Sequence, residues 1–267
     1  MKTIKIASVL LLLISIFIFG AYKVYEYKNK DTQPPMIQCE TEELVVSVET
    51  SEEELLQGVT ALDDQSGDVT STLVIESISP FTEEDARIIT YAAIDAKGNV
   101  GRCERVLKYE DYQGPTFALS EPLRFPIGKS VNLLGVISAK SPLDGDLSDN
   151  IKYTLDETIN LSKPGTYHVE FRVTDSCGYV AYFPLEVEIY DKSEERIEVV
   201  LSDYSIQLPL NEAFDPTAYY VGSDIEGELT VKSTVDNKTP GIYYVDYIVN
   251  GNNGMGKSRL VVVVTES

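Results

Sequence analysis

The chain has 267 residues, of which 43% are hydrophobic, and its formal net charge is −21. This apolar content excludes a disordered or fibrous chain, and the length is enough for roughly two or three domains. The acidic excess excludes sequence-independent binding to nucleic acid, which needs clustered Lys and Arg against phosphate, and it disfavours lying flat on an anionic membrane.

The first predicted element is an apolar helix near the N-terminus. Residues 6–22 read IASVLLLLISIFIFGAY without a charge. A helix of this length spans about 26 Å, at the short end for a bilayer core. We predict a signal anchor within residues 1–30, flanked by a short cytoplasmic start and a juxtamembrane linker.

A cleaved secretory signal is the alternative for the same segment, with Lys2 and Lys5 as its basic start. Cleavage after Ala21 would place Phe19 where a small residue is preferred. The flanking lysines do not favour an outward C-terminus, so the orientation depends on the folds that follow. We expect a single-pass protein of the cell membrane with its C-terminal modules outside, or a secreted protein if the segment is cleaved.

The rest of the chain repeats with a period of eighty residues. DTQPP begins at residue 31, DYQGP at 111 and DKSEE at 191. Each unit then contains an acidic turn, an alternating strand, a glycine turn and a last strand. The repeat predicts three modules, at residues 31–110, 111–190 and 191–267.

Strict alternation of apolar residues marks the strand before each glycine turn. GTYHVEFRV places Tyr167, Val169, Phe171 and Val173 on one face, and GIYYVDYIV does the same in the third unit. The first unit has the poorer RIITYAAI, and TSEEELLQGV near Thr50 can form one short helical turn. Period-two strands joined by glycine turns predict an all-β fold of three tandem Ig-like β-sandwich modules after the N-terminal transmembrane helix.

Two segments carry a family resemblance. PPMIQC together with YAAIDAKGNVGRC resembles the hyalin-repeat (HYR) module, and LDGDLSDNIKY with KPGTYHVEFRVTDSCGYVA is similar to bacterial Ig-like surface repeats. The third unit departs most, with Gly251 in place of the turn aspartate and Glu228 in place of the loop aspartate. The resemblance covers residues 31–267 and implies an extracellular β-sandwich, but it does not indicate a ligand.

The HYR resemblance also implies a disulfide between Cys39 and Cys103, which lie in the first and last strands of the first unit. Two unpaired thiols are the alternative. The remaining cysteine, Cys177, is expected to be a partly buried thiol, with an intermolecular disulfide as the other possibility.

The repeated turn aspartates, Asp95 and Asp175, are predicted to be structural rather than catalytic. Each can accept hydrogen bonds from backbone amides two residues on, and the following Gly98 or Gly178 can take a positive φ.

Two acidic turns are weak candidates for calcium, because calcium prefers six to eight oxygen ligands. Their spacing matches no EF-hand, aspartate-rich turns commonly lack metal, and we expect no cofactor. The candidate ligands are Asp63, Asp64 and Asp68 in the first unit, and Asp144, Asp146 and Asp149 in the second.

An enzymatic function is not expected. His168 is the single histidine and lies on the outward face of its strand. The sequence contains no phosphate-binding glycine loop, zinc ligand set or nucleophile elbow. Carboxylates are plentiful enough for a glycosidase, but the absence of Trp in the sequence disfavours one.

Three tyrosines of the third unit, Tyr219, Tyr220 and Tyr244, are candidate binding residues because exposed aromatic side chains mark partner sites. Tyr243 and Tyr247 belong to the predicted buried face.

We therefore expect a non-catalytic, membrane-anchored, extracytoplasmic binding or scaffold protein of a bacterial envelope. Its partner would be a protein or a cell-surface glycan. An adhesin or glycan-binding protein acting through the third module is one alternative, and a subunit of an envelope or secretion assembly is another. Because the sequence ends shortly after the last predicted strand, we expect the modules themselves to carry the function.

Overall fold

The structure, a computed structural model, describes residues 2–28, 31–82, 85–252 and 254–266. Helix α1 (Lys2–Lys28) extends beyond the predicted apolar run at both ends. Its window Leu10–Tyr27 has a mean hydropathy of 1.5 and is unburied, so the helix is long and apolar enough to cross a membrane. The side chains of Lys2 and Lys5 lie outside the described part of the chain.

A second, very short helix, α2 (Glu52–Leu55), confirms the helical turn predicted near Thr50. It begins with a capping box: the Ser51 hydroxyl accepts from the Glu54 amide, and the Glu54 carboxylate accepts from the Ser51 amide. The hydroxyl of Tyr91, itself fully buried, donates to the Leu55 carbonyl at 2.8 Å and fixes the helix to the first hydrophobic core.

The described residues after α1 form twenty strands, which divide along the chain in step with the repeat. Those of the first segment are β1 (Met36–Cys39), β2 (Glu43–Val46), β3 (Val59–Asp63), β4 (Gly67–Asp68), β5 (Val74–Ile78), β6 (Arg87–Ile94) and β7 (Val100–Tyr109). Those of the second are β8 (Thr116–Leu119), β9 (Arg124–Pro126), β10 (Ile137–Ser141), β11 (Gly145–Asp146), β12 (Lys152–Leu155), β13 (Gly165–Thr174) and β14 (Val180–Tyr190). Those of the third are β15 (Val199–Leu201), β16 (Ser205–Pro209), β17 (Tyr220–Ser223), β18 (Glu228–Ser233), β19 (Gly241–Gly251) and β20 (Gly254–Thr265).

The same four-stranded sheet occurs three times. Its strand orders are β2-β7-β6-β5, β9-β14-β13-β12 and β16-β20-β19-β18. In each sheet the first-named strand runs parallel to the last strand of its segment, and the other neighbours are antiparallel. A smaller sheet accompanies each one: β1-β3-β4, β8-β10-β11 and β15-β17. The recurrence confirms the predicted all-β fold of repeated sheets after one apolar helix.

Among the described residues each of the three segments has its own hydrophobic core, and we number the cores first, second and third in chain order. The alternation predicted for β13 is confirmed, since Tyr167, Val169, Phe171 and Val173 are all buried. The corresponding face of β19 is buried at Val245, Tyr247 and Val249, while Tyr243 is half-buried at its edge.

The chain divides into two compact units. One comprises residues 1–46 and 50–109, and the other comprises residues 47–49 and 110–267. The predicted second and third modules thus form a single unit, in which Val261, Tyr244 and Val263 of the third segment pack against the core of the second.

Candidate functional site

Three buried aspartates meet in the first unit. Asp31 precedes β1, Asp63 ends β3 and Asp95 follows β6. Each residue contributes one carboxylate oxygen, and these three oxygens all lie within 4.8 Å of one another. Their exposed fractions are 5%, 8% and 6%, so all three carboxylates are largely removed from water.

Asp95 is held by the turn that the sequence predicts. Its Oδ1 accepts from the amides of Lys97 and Asn99, both at 2.8 Å, and its Oδ2 accepts from the Asn99 side chain at 2.7 Å. Gly98 has a φ of +89°, as expected. Burial raises the pKa of Asp95, but the hydrogen bonds from Asn99, Lys97 and Gly98 outweigh it, and the pKa lies below its usual value.

The other two carboxylates are also oriented by backbone amides. Oδ1 of Asp63 accepts from the amides of Gln65 and Ser66 at 3.0 and 2.6 Å. Oδ1 of Asp31 accepts from the Gln33 amide at 3.0 Å, whereas its Oδ2 is buried and has no hydrogen-bond partner among the residues that the structure describes. This buried acceptor has lost its water without gaining a donor, which is unfavourable.

No described Lys or Arg forms an ion pair with any of the three. Two unit charges at the 4.8 Å limit of the cluster repel by about 3.5 kcal/mol at an effective dielectric of about 20. The cluster therefore carries a large electrostatic cost unless a cation lies within it.

The predicted calcium candidates are grouped differently in the structure. Burial alternates along β3, so Asp63 faces inward while the neighbouring Asp64 and, across the hairpin, Asp68 are exposed. Asp68 accepts from the Thr70 amide at 2.9 Å. Asp63 thus joins Asp31 and Asp95, two residues that the sequence did not indicate as ligands.

The predicted ligands of the second acidic turn are all exposed, and two of them accept hydrogen bonds from other turns or from their own turn. Oδ2 of Asp144 accepts from the Ser176 amide at 2.8 Å, and Oδ1 of Asp146 accepts from both the amide and the hydroxyl of Ser148. Asp149 lies in a 3-10 turn. These three do not form a cluster among the described residues.

In the second segment a neutral side chain stands in the place of Asp63, while the turn aspartate is retained as Asp175. Ser141 ends β10 and pairs with Gly145, as Asp63 ends β3 and pairs with Gly67. The Ser141 hydroxyl accepts from the amides of Leu143 and Asp144 at 3.2 and 3.4 Å, just as Asp63 accepts from the amides two and three residues after it. The turn aspartate Asp175 accepts from two amides through Oδ1 and from the Tyr112 hydroxyl through Oδ2.

The cysteines of the first unit lie side by side. Sγ of Cys39 on β1 and Sγ of Cys103 on β7 are 3.6 Å apart and partly buried. Burial, reinforced by Cys103 and opposed by Arg105, raises the pKa of the Cys39 thiol to about 11. The disulfide stays a prediction. Cys177 is 1% exposed and so more deeply buried than expected.

The three candidate binding tyrosines are half-buried rather than exposed. Tyr219 stacks on Phe214 with ring centroids 5.9 Å apart, and both Tyr219 and Tyr220 pack against the third core. Tyr244 points away from that core, as alternation predicts, but it packs against the second core and lies under the Arg259 guanidinium at 4.7 Å.

An open groove lies within the unit of residues 110–267. Its lining includes Tyr112, Tyr179, Tyr182, Gln207, Ile242 and Glu266. Tyr179 and Tyr182 are 49% and 56% exposed, which makes them the accessible aromatic side chains of the groove. Glu266 is the single carboxylate among its described lining residues, so the groove offers no pair of acids for glycoside hydrolysis. His168 is exposed on β13.

A buried ionic network joins the second and third segments. The Arg124 side chain is 5% exposed and forms ion pairs with Glu188 at 2.9 Å and Glu195 at 2.8 Å. Burial raises the pKa of Glu188, but Arg124 and Lys257 outweigh it and hold the pKa at about 2. The buried charges of this network are all paired in only one arrangement of the side chains. The network therefore fixes the four-stranded sheets of the second and third segments relative to each other.

A second half of the network centres on Arg259 of β20. It forms ion pairs with Asp246 of β19 at 2.7 Å and with Glu186 of β14 at 2.8 Å. The last strands of the two segments are therefore linked by charge as well as by the apolar contacts of Tyr244 and Val261.

The geometry defines a chain of repeated β-sheet segments that follow an apolar helix. Residues 30–109 match the HYR domain family, which confirms the resemblance of the first segment. The chain is also 26% identical over 219 residues to the pesticidal crystal protein Cry22Aa of Bacillus thuringiensis. That match covers 76% of this chain and 29% of the relative, so the chain spans less than a third of that protein.

Two solved structures are similar at low identity. The structure of CBM51-2 in complex with GlcNAc and INT domains from Clostridium perfringens ZmpB is 16% identical and covers 86% of this chain and 42% of its own, with a TM-score of 0.23. Mouse cadherin-23 EC22-24 is 14% identical and covers 88% of this chain and 99% of its own, also with a TM-score of 0.23. Scores this low do not indicate what the chain binds.

Proposed function

We propose that the chain is a non-catalytic, membrane-anchored, extracytoplasmic binding or scaffold protein of a bacterial envelope. In this proposal residues 31–110, 111–190 and 191–267 are three Ig-like modules, and α1 is an uncleaved signal anchor. The modules present a surface to a protein or glycan partner.

The observation that carries the proposal is the exposure of α1. Every side chain from residue 10 to residue 27 is exposed, although most of them are apolar. Water is an unfavourable environment for such a surface, and a bilayer removes it from water without any partner chain.

The topology is tested with full-length chain carrying a C-terminal tag. We expect the chain to resist carbonate extraction from membranes and the tag to be removed by protease added to intact cells. A protected tag would refute the outward orientation. Recovery of a soluble chain whose N-terminus begins near residue 22 would instead establish the secreted form.

The groove at Tyr179 and Tyr182 supports the binding role. Two exposed tyrosines beside Gln207 offer flat apolar faces together with hydrogen-bonding groups, a combination that suits a sugar ring or an extended peptide. Arg259 of β20 forms an ion pair with Glu186 of β14, and other residues of these two strands line the groove, so this ion pair supports its walls before the partner arrives.

The partner is sought by cross-linking tagged full-length chain in intact cells and recovering glycan and membrane-protein fractions separately. We expect the double variant Tyr179→Ala, Tyr182→Ala to lose the recovered partner. Tyr153→Ala is the matched control, because Tyr153 is also an exposed strand tyrosine (41%) but does not line the groove. Equal recovery from both variants would exclude the groove as the binding surface.

The same experiment separates the two alternatives. Enrichment of glycan alone supports the adhesin, whereas enrichment of one membrane protein supports a subunit of an assembly. For the subunit, replacing α1 by an unrelated apolar helix is expected to abolish recovery of the partner, since the helix itself would then be part of the interface.

A further inference from the structure

We infer that Asp31, Asp63 and Asp95 bind one calcium ion. Their carboxylates converge to within 4.8 Å in the first unit, and each residue is more than nine-tenths buried. An independent observation supports a ligand: Oδ2 of Asp31 is buried at the cluster and has no donor within the described protein. A cation satisfies this oxygen and cancels the mutual repulsion at once.

The donor set selects a hard cation. All three ligands are carboxylates, and no His or Cys belongs to the cluster, which disfavours zinc and copper. Oδ1 of each carboxylate is oriented by backbone amides of its own turn. The ligands therefore come from three separate turns, an arrangement whose irregular geometry calcium accepts more readily than magnesium, which requires a near-ideal octahedron. Backbone carbonyls and water would complete the coordination.

The second segment shows how the same fold avoids the need for an ion. Ser141 stands where Asp63 stands, and the Tyr112 hydroxyl donates to the second oxygen of Asp175. The Ser141 hydroxyl thus replaces the acid at the Asp63 position. Asp175, the counterpart of Asp95, accepts a hydrogen bond from the Tyr112 hydroxyl.

In the first segment Asp63 keeps the acid that Ser141 replaces. The second oxygen of Asp95 accepts from the Asn99 side chain, but Oδ2 of Asp31 has no donor among the described residues, so the cation takes the place of that missing donor.

Calcium at this site would tie together three parts of the first unit. Asp31 belongs to the segment that enters β1, Asp63 to the β3–β4 hairpin and Asp95 to the β6–β7 turn. Because Asp31 lies shortly before β1, the ion would fix the point at which the β-fold begins.

The direct test is calorimetric titration of chelator-treated, full-length chain in detergent with CaCl₂ and, separately, with MgCl₂. We expect one calcium per chain and at least tenfold weaker binding of magnesium. Asp63→Asn and Asp31→Asn are expected to weaken calcium binding at least tenfold, while an amide oxygen still accepts from the backbone of each turn. Asp175→Asn is the matched control and is expected to leave binding unchanged, because Asp175 occupies the same turn in the second segment but belongs to no three-acid cluster among the described residues.

Absence of calcium binding to the wild-type chain would overturn the inference. Equal weakening by Asp175→Asn and Asp63→Asn would overturn it as well, since the ion would then not be at this cluster.

A stability measurement gives a second, independent readout. Asp63→Ser copies the residue that the second segment uses at this position. In chelator we expect this variant to unfold at a higher temperature than wild type, because one of three repelling charges is gone. In saturating calcium the order is expected to reverse, because only the wild type binds the ion and gains from it. A wild-type unfolding temperature that does not respond to calcium would refute the site.

Discussion

Replacement of Arg124 by Met removes the buried cation at the centre of the ionic network while keeping a long unbranched side chain. The Arg124 side chain is 5% exposed, and Glu188 and Glu195, its two partners, are 22% and 15% exposed. The fall of the Glu188 pKa from 4.5 to about 2 corresponds to about 3 kcal/mol of stabilisation, part of which comes from Lys257. Since Glu195 also loses its partner, we expect Arg124→Met to lower the free energy of unfolding by about 3 kcal/mol near neutral pH.

The pH dependence distinguishes lost charge pairing from lost packing. The folded-state pKa of Glu188 lies below its unfolded value, so its contribution is complete above pH 4.5 and is lost as the pH falls toward about 2. The difference between wild type and Arg124→Met is therefore expected to shrink over that range, because Glu188 becomes neutral and no longer pairs with Arg124.

The assay is urea unfolding of full-length chain in nonionic detergent, followed by tyrosine circular dichroism near neutral pH and near pH 2. Arg102→Met is the matched control, because Arg102 and Glu76 form an ion pair of similar length (2.7 Å) with exposed side chains, 56% and 39%. It is expected to cost less than about 1 kcal/mol. A loss for Arg124→Met that is the same at both pH values would refute charge pairing as the cause.

Three further perturbations test other parts of the chain. A mass measurement of wild type and Cys39→Ser under non-reducing conditions decides whether the Cys39–Cys103 disulfide forms. Its reduction is expected to lower the free energy of unfolding of the first unit by about 4 kcal/mol, because the link closes a loop between residues 64 positions apart. Ile14→Arg places a charge at the middle of α1 and is expected to weaken membrane insertion by about 3 kcal/mol, whereas Ile14→Leu is expected to resist carbonate extraction like wild type. Gly256→Ala is expected to destabilise the third core by about 1–3 kcal/mol, because its Cβ would lie 2.1 Å from the Ile197 carbonyl oxygen. Gly222→Ala is the control, because a Cβ at Gly222 would have no heavy atom within 4 Å. Equal urea midpoints for the two variants would contradict the prediction.

Much of the fold is predictable because it follows from local alternation. The buried positions of β13 are readable from the sequence, since each inward residue has an outward neighbour such as the exposed His168. The turn at Asp95 is predictable for the same reason: the aspartate and the glycine that form it are adjacent in the chain.

The candidate sites are less predictable because they depend on contacts between distant residues. Alternation places Tyr244 on the outward face of β19, but it cannot show that the second core and Arg259 cover that face. In the sequence Asp63 lies near Asp64 and Asp68, and we predicted these three as one group of ligands. In the structure the alternation of β3 places the Asp63 side chain beside Asp31 and Asp95 instead. The equivalence of Ser141 and Asp63 is shown by strand pairing, because the eighty-residue spacing alone places Leu143 opposite Asp63.

The parallel pairing in each four-stranded sheet has a mechanical consequence. The strands β2 and β7 pair over four residues, β9 and β14 over three, and β16 and β20 over five. When a chain is pulled at its two ends, parallel strands of this kind slide past each other, and the load is shared by every hydrogen bond of the register at the same moment. Antiparallel hairpins pulled from their open ends separate one bond at a time under much smaller forces. A chain held by its helix in one surface and by its modules to another would thus transmit tension between them while its sheets stay intact.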